Sequence, residues 1–113
     1  KKLKLAILSN GTPSLLNELV KSNNLENLFD DIFSIEEVGI YKPNSKVYDM
    51  PVKKYKIRKD EIAFLSANTW DVSGGGNYGY QAVWVNRNNN IFDNLDFKPK
   101  LEIKNLSGLL SEL

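Results

Sequence analysis

One short stretch near the start of the chain decides the fold: residues 3–13 read Leu-Lys-Leu-Ala-Ile-Leu-Ser-Asn-Gly-Thr-Pro. Its apolar first half predicts a buried strand, and the Ser-Asn-Gly that follows predicts a turn, because these residues favour turn conformations. The Thr-Pro pair then predicts a helix start, since threonine is a good N-cap and proline suits the first helical position. The stretch therefore predicts a strand, a turn and a helix in direct succession.

The alternation of strand and helix continues along the rest of the chain. Apolar residues recur with helical spacing up to about residue 21. Further strands are predicted at 31–35, 62–65 and 81–85, with a short edge strand at 101–103. A second helix is predicted from residue 44 or 45, and a third over 71–78 despite three glycines. A last helix is predicted from the spacing of four leucines, Leu106, Leu109, Leu110 and Leu113. Pro51 lies well inside the second helical pattern and predicts a kink or a restart there. This spacing predicts an α/β fold with βαβ units, right-handed crossovers and a mainly parallel sheet.

Composition limits the chemistry that the chain can carry. The 113 residues, 42% apolar and 26% charged, suit one modest globular domain. A net charge of +1 gives no reason to expect nucleic acid or an anionic membrane as a partner. The absence of cysteine and histidine excludes disulfides, thiolate metal sites and histidine catalysis, so any chemistry rests on carboxylates, lysine, hydroxyls or amides. No apolar run approaches the roughly 20 residues of a membrane span.

Polar residues follow several predicted strands at the point where each strand ends. In an open parallel sheet, ligands bind beyond the carboxyl ends of the strands. Six of these residues are therefore expected on one rim: Ser9, Asn10, Lys42, Ser66, Asn68 and Asp71, while Asn86 and Arg87 follow the fourth strand. Each also has an ordinary explanation, since serine and asparagine form turns or caps, a lysine can be a surface residue, and an aspartate in a first helical turn suits the helix dipole.

Taken together and in order, four strings resemble the successive blocks of the haloacid dehalogenase superfamily: LAILSNGTP at 5–13, LFDDIFSIEEVGIYKPNSKVY at 28–48, IAFLSANTWD at 62–71 and YGYQAVWVNR at 78–87. Within it they look most like the L-2-haloacid dehalogenases. Phosphatases of the superfamily usually carry two acidic residues in a GDxxxD block that holds Mg²⁺, whereas here Ser66 and Asn68 leave only Asp71. Fewer carboxylates favour a metal-free reaction, and the resemblance implies no cofactor.

The resemblance implies a Rossmann-like core and the hydrolysis of short 2-haloalkanoic acids to 2-hydroxy acids through an aspartyl-ester intermediate. Lys42 would keep the nucleophilic carboxylate ionised, and Asp71 would orient Lys42. Ser66 and Asn68 would support the nucleophile and position the hydrolytic water. The small-molecule partners would be the 2-haloacid and the released halide, and family members are often homodimers.

Four further residues would contact the substrate by the same resemblance. Ser9 would bind the substrate carboxylate with nearby backbone N–H groups, and Asn10 would stabilise the departing halide. Tyr48 and Trp70 would line the pocket, although such aromatics more often fill a core. The lack of cysteine fits a cytoplasmic protein.

Two parts of the family pattern have no counterpart among the four strings. No block resembling the DxYGT nucleophile block is found, and neither is the helical cap with its halide-binding arginine. We therefore expect residues 1–113 to form the C-terminal portion of a core domain, without the central strand between those of Leu5 and Phe64 and inactive alone. The alternatives are a superfamily phosphatase, or a non-catalytic interaction module on the same scaffold.

Overall fold

The computed structural model describes residues 3–25, 27–37, 39–42, 44–92 and 98–112, and its elements alternate as the sequence predicts. They are β1 (Ala6–Ser9), α1 (Pro13–Ser22), β2 (Asp31–Ser34), α2 (Ser45–Tyr55), β3 (Ala63–Ser66), α3 (Thr69–Tyr78), β4 (Gln81–Val85) and β5 (Leu101–Ile103), with 3₁₀ turns at Ile35–Glu37, Lys59–Glu61 and Leu106–Glu112. The chain divides into two compact units, Lys1–Lys54 and Tyr55–Leu113.

In the first unit, β1 and β2 form a parallel pair joined by α1, in the register Ala6↔Asp31 to Ser9↔Ser34. The predicted start of α1 is confirmed, because the Thr12 side chain accepts a hydrogen bond from the backbone N–H of Leu15 and a proline follows the cap. Residues Leu16 and Val20 bury one side of the helix. The strand itself is less buried than predicted.

The predicted strand over 3–8 is wrong at its first residues. Leu3 and Leu5 are 64% and 51% exposed, and β1 begins only at Ala6. The backbone of Leu5 is satisfied by Asp30, whose carboxylate accepts from the Leu5 N–H and whose own N–H donates to the Leu5 carbonyl, both at 2.7 Å. Leu5 is therefore held by hydrogen bonds to Asp30, whereas the apolar run predicted that it would be buried.

Helix α2 runs through Pro51 without a restart, contrary to one of the two sequence expectations. The proline removes a backbone donor and disfavours the preceding helical turn. Its side chain is nevertheless buried together with Val47, Tyr48 and Met50. Burial of this apolar face offsets the lost hydrogen bond, so one helix of 11 residues forms.

In the second unit, β3, β4 and β5 form a parallel sheet in that order, and α3 connects β3 to β4. One face of the sheet carries a core of Val72, Ala82 and Trp84, and the other carries Val83, Val85 and Ile103. The glycine-rich helix is confirmed and begins at Thr69, two residues before the predicted start. Gly75 lets α3 lie close to β3, because a Cβ built there would be 2.5 Å from the Phe64 ring.

The α/β class and the parallel pairing are confirmed. The five strands form two sheets, β1–β2 and β3–β4–β5, so that among the described residues β1 pairs only with β2 and β3 only with β4. This agrees with the expectation of an unpaired edge on each of these two strands. The last predicted helix is a 3₁₀ turn, and Leu113 lies outside the described residues. No described helix is long and apolar enough to cross a membrane.

Candidate functional site

Lys42 is held at the carboxyl end of β1 by two hydrogen bonds. Its ammonium Nζ donates to the backbone carbonyl of Leu8 at 2.7 Å, and its backbone N–H donates to Oδ1 of Asn10 at 2.9 Å. The side chain is half-buried. The fold therefore fixes a cation beside the strand end, which is where the sequence predicts a reactive site.

The turn after β1 is ordered by hydroxyl groups from both strands of the first unit. Ser9 Oγ accepts a hydrogen bond from the Gly11 N–H at 3.0 Å, and Ser34 Oγ donates to the Gly11 carbonyl at 2.7 Å. The Ser9 hydroxyl thus performs the turn role that its sequence context suggests. It keeps its own proton as a donor, because accepting a bond does not consume the O–H.

Tyr48 is fully buried, and its ring centroid lies 5.9 Å from Lys42 Nζ. A cation at this distance from an aromatic face is attracted by the ring quadrupole. The ring thus contributes to the core and also lies next to the predicted catalytic lysine. In the first unit, the structure brings together Ser9, Asn10, Lys42 and Tyr48.

The loop after β3 carries Ser66 and Asn68 in a tight local bond. The Asn68 N–H donates to Ser66 Oγ at 3.1 Å. Asn68 occupies the N-cap position of α3, yet its side chain makes no capping hydrogen bond. N-terminal capping therefore explains why an asparagine stands at position 68, but it gives no role to the side-chain amide of Asn68.

Asp71 lies in the first turn of α3 and is only 5% exposed. A buried carboxylate is costly unless polar groups satisfy it, and no buried side-chain nitrogen or oxygen in the described part of the chain lacks a hydrogen-bond partner. Its position also suits the positive end of the helix dipole. The second unit thus gathers Ser66, Asn68, Trp70 and Asp71 around the start of α3.

An open cleft of about 410 Å³ lies at this helix start, lined by Ala67, Asn68, Thr69, Trp70, Trp84, Asn90 and Ile91. Trp70, which the resemblance assigns to a substrate pocket, is 44% exposed and lines this cleft, and its role toward a substrate stays a prediction. Trp84, Asn90 and Ile91 were not among the predicted site residues. Of these three, Asn90 lies in the polar run at 86–90, whereas Trp84 and Ile91 had no signal in the sequence that marks a site.

Asn86 anchors the loop that carries Asn90, one of the residues lining this cleft. Its side chain is 4% exposed, donates to the Asn90 carbonyl at 2.9 Å and to Glu102 Oε2 at 2.8 Å, and accepts from the Asn90 N–H at 2.9 Å. These bonds close the loop over 86–90. Arg87 is exposed on that loop. Asn86 is therefore a loop-closing residue, while the structure shows no contact that would give Arg87 a role among the described residues.

Within the part of the chain that the structure describes, no group of three or more potential metal-ligating side chains is arranged to hold a metal ion. Among the predicted site residues of the second unit, Asp71 is the one that carries a carboxylate. What the two sets of residues offer is therefore a fixed ammonium group, several hydroxyl and amide groups, and one buried carboxylate.

Comparison with known proteins identifies a family for this arrangement. Residues 1–85 match the family model of haloacid dehalogenase-like hydrolases. An (S)-2-haloacid dehalogenase of Pseudomonas putida is 38% identical over 107 residues, which cover 95% of this chain and 47% of that protein. The chain spans about half the length of the curated relatives it matches.

Solved structures show the same likeness. The crystal structure of the L-2-haloacid dehalogenase RSc1362 superposes with a TM-score of 0.94 at 33% identity, covering 97% of this chain and 48% of that chain. An L-2-haloacid dehalogenase from Xanthobacter autotrophicus, solved with chloropropionic acid covalently bound, gives a TM-score of 0.86 at 27% identity over 98% of this chain and 54% of that chain. On the family match, which covers most of its residues, the chain belongs to the haloacid dehalogenase-like hydrolases.

Proposed function

We propose that the protein carrying this chain hydrolyses short 2-haloalkanoic acids to 2-hydroxy acids and halide. The observation that carries the proposal is the 38% identity to an (S)-2-haloacid dehalogenase across 95% of this chain. That match spans all eight predicted site residues. The replacement of the phosphatase acidic pair by Ser66 and Asn68 supports the same reaction class over phosphate ester hydrolysis.

The reaction takes place in two displacement steps. A carboxylate oxygen attacks C2 of the 2-haloacid, and the carbon–halogen bond breaks with its electron pair leaving on the halide. Water then adds to the carbonyl carbon of the resulting ester, which releases the 2-hydroxy acid and restores the carboxylate. Division into two steps lowers the barrier of one hard displacement. We propose that the attacking carboxylate comes from a DxYGT-like block outside these 113 residues.

Lys42 is proposed to keep that carboxylate ionised. A cation near a carboxylate favours the charged form, which is the form that attacks carbon. The support is geometric, because the ammonium group donates to the Leu8 carbonyl and lies beside the ring of Tyr48. A separate hydrogen bond from the Lys42 backbone N–H to Asn10 holds the main chain at the same place. A fixed charge costs little reorganisation at the moment of reaction.

The remaining roles follow the same logic of polar groups at strand ends. Ser66 and Asn68 are proposed to support the nucleophile and to position the hydrolytic water, and Asp71 to offset the charge of Lys42. The Asn68 side chain makes no capping bond, which leaves its amide for such a role.

In the first unit, Ser9 is proposed to bind the substrate carboxylate through its hydroxyl proton, and Asn10 to stabilise the departing halide. Tyr48 and Trp70 are proposed to border the substrate. A metal ion is not part of the proposal, since Asp71 is the one acidic residue left in the motif. A cytoplasmic location and a homodimer are proposed on the lack of cysteine and on the resemblance, respectively.

The test is halide release from L-2-chloropropionate by the protein expressed from its longer reading frame, with and without a chelator. We expect release that the chelator does not change. Lys42→Ala should reduce release by at least about a hundredfold, because a fixed charge beside the reacting group is worth several kcal/mol. Lys54→Ala is the matched control, since Lys54 is 58% exposed and lies 3.9 Å from Asp31 in a surface ion pair.

A folded protein that releases no halide would contradict the proposal. Turnover of p-nitrophenyl phosphate that requires Mg²⁺ would favour the phosphatase instead. If Lys42→Ala and Lys54→Ala reduce halide release equally, the proposed role of Lys42 is contradicted, while the proposed reaction is not.

A further inference from the structure

The indole of Trp84 contacts the loop that carries two of the proposed catalytic residues. Trp84 lies on β4, opposite Ser66 of β3 in the strand register, and is 3% exposed. Its Nε1–H donates to the carbonyl of Ala67 at 3.2 Å. Phe92 packs against the ring edge to face, with centroids 5.0 Å apart at 82°. Phe92 therefore packs against the indole of Trp84, while the only donor of the indole, its Nε1–H, is bonded to the loop.

This hydrogen bond fixes one side of a single peptide unit. The Ala67 carbonyl and the Asn68 N–H belong to the same planar amide and point in opposite directions. The Asn68 N–H donates to Ser66 Oγ at 3.1 Å, so both ends of this amide are bonded. Rotation of the amide would break both bonds, and it would release the Ser66 hydroxyl from its partner and change the direction of the chain at Asn68.

We propose that Trp84 is a positioning residue for Ser66 and Asn68 in the hydrolysis of the ester. The inference rests on the proposed function, in which these two residues position the attacking water. Trp84 does not contact the water itself, and it acts through the orientation of the Ala67 amide. Loss of the indole N–H should therefore slow ester hydrolysis more than it slows the first displacement, which releases halide and in which Ser66 and Asn68 only support the nucleophile.

The test is Trp84→Phe in the full-length protein, with steady-state kinetics and mass spectrometry of the quenched enzyme. We expect kcat to fall about tenfold, the cost of one lost hydrogen bond to a positioned group. The ratio kcat/KM should stay within about twofold, because it reports steps up to the irreversible departure of halide. The covalent ester should accumulate, and a burst of halide should equal the enzyme concentration.

Val85→Ala is the matched control, since Val85 is a buried residue of the same strand that packs in the core of the opposite face. Val85→Ala should change the stability of the protein, but it should not lower kcat relative to kcat/KM or cause the ester to accumulate. A structural effect of Trp84→Phe would lower kcat and kcat/KM together, and that result would overturn the proposal. If Trp84→Phe does not fold, Ala67→Gly loosens the same amide from an exposed position and should give the same signature.

Amide hydrogen exchange gives a second measurement that needs no turnover. Exchange of the Asn68 N–H should rise about tenfold in Trp84→Phe, as expected for one lost hydrogen bond. Exchange in the β3–β4 ladder should stay as in the wild type. If the wild type releases no halide, the proposed function fails while this measurement still decides the role of Trp84. An unchanged Asn68 exchange rate would overturn the positioning role in either case.

Discussion

Gly75 tests whether α3 packs against β3 as closely as the structure indicates. A Cβ built at Gly75 would lie 2.5 Å from Cδ2 and 2.8 Å from Cε2 of the Phe64 ring, well inside ordinary contact distance. The ring cannot move away cheaply, because it also packs against Tyr80 with centroids 5.7 Å apart. Gly75→Ala should therefore overpack the interface between helix and strand.

The magnitude follows from two opposing terms. Alanine favours the helix by about 1 kcal/mol over glycine, whereas overpacking of a tight core costs about 2–3 kcal/mol. We expect Gly75→Ala to lower the free energy of unfolding by about 1–2 kcal/mol. In the Phe64→Ala background the Cγ, Cδ2 and Cε2 atoms that cause the clash are absent, so the same substitution should be neutral or stabilising by up to about 1 kcal/mol.

Urea unfolding followed by tryptophan fluorescence is the suitable assay. The two tryptophans of the chain, Trp70 and Trp84, both lie in the unit Tyr55–Leu113, so their fluorescence reports the unfolding of that unit. The midpoint should shift at an unchanged m-value. If Gly75→Ala stabilises the wild type, or destabilises both backgrounds equally, the close approach to Phe64 is refuted.

Two further expectations concern buried hydrogen bonds. Asn86→Ala should lower the free energy of unfolding by about 2–3 kcal/mol, because the N–H and the carbonyl of Asn90 would each lose their bond to the Asn86 side chain. Urea unfolding measures this change, and the control Arg87→Ala should stay within about 0.5 kcal/mol of the wild type. Ser34→Ala should cost about 1–2 kcal/mol through the lost bond to the Gly11 carbonyl, measured by far-UV circular dichroism, and no loss there would show that this bond does not order the turn.

Sequence patterns predicted most of the secondary structure because the forces behind them are local. Thr12 caps α1 with its own side chain, and Asn23 ends that helix at the predicted place. The strands β2, β3 and β4 are short apolar runs separated by turn residues, and this pattern is enough to predict them as strands. Six candidate site residues were named from their positions after predicted strands, and Tyr48 and Trp70 were named by resemblance. The roles of all eight stay predictions.

Other features depend on residues that are distant in sequence. Pro51 was expected to kink α2 or to restart it, and the structure shows one helix without a restart, in which the proline side chain is buried. Leu3 and Leu5 were expected to be buried, and they are exposed because the ladder starts after them. The contact of Trp84 with Ala67 spans 17 residues and has no local signal.

By itself, then, the sequence determined which segments are strands and helices, the parallel arrangement and the family of the chain. Caps, turns and apolar periodicity act over a few residues and can be read one segment at a time. Only the tertiary structure decided where the Lys42 ammonium is anchored, why Gly75 must be small and which indole holds the loop at Ser66. Each of these depends on which side chains meet after folding, and that is set by packing between elements rather than by the order of residues within one.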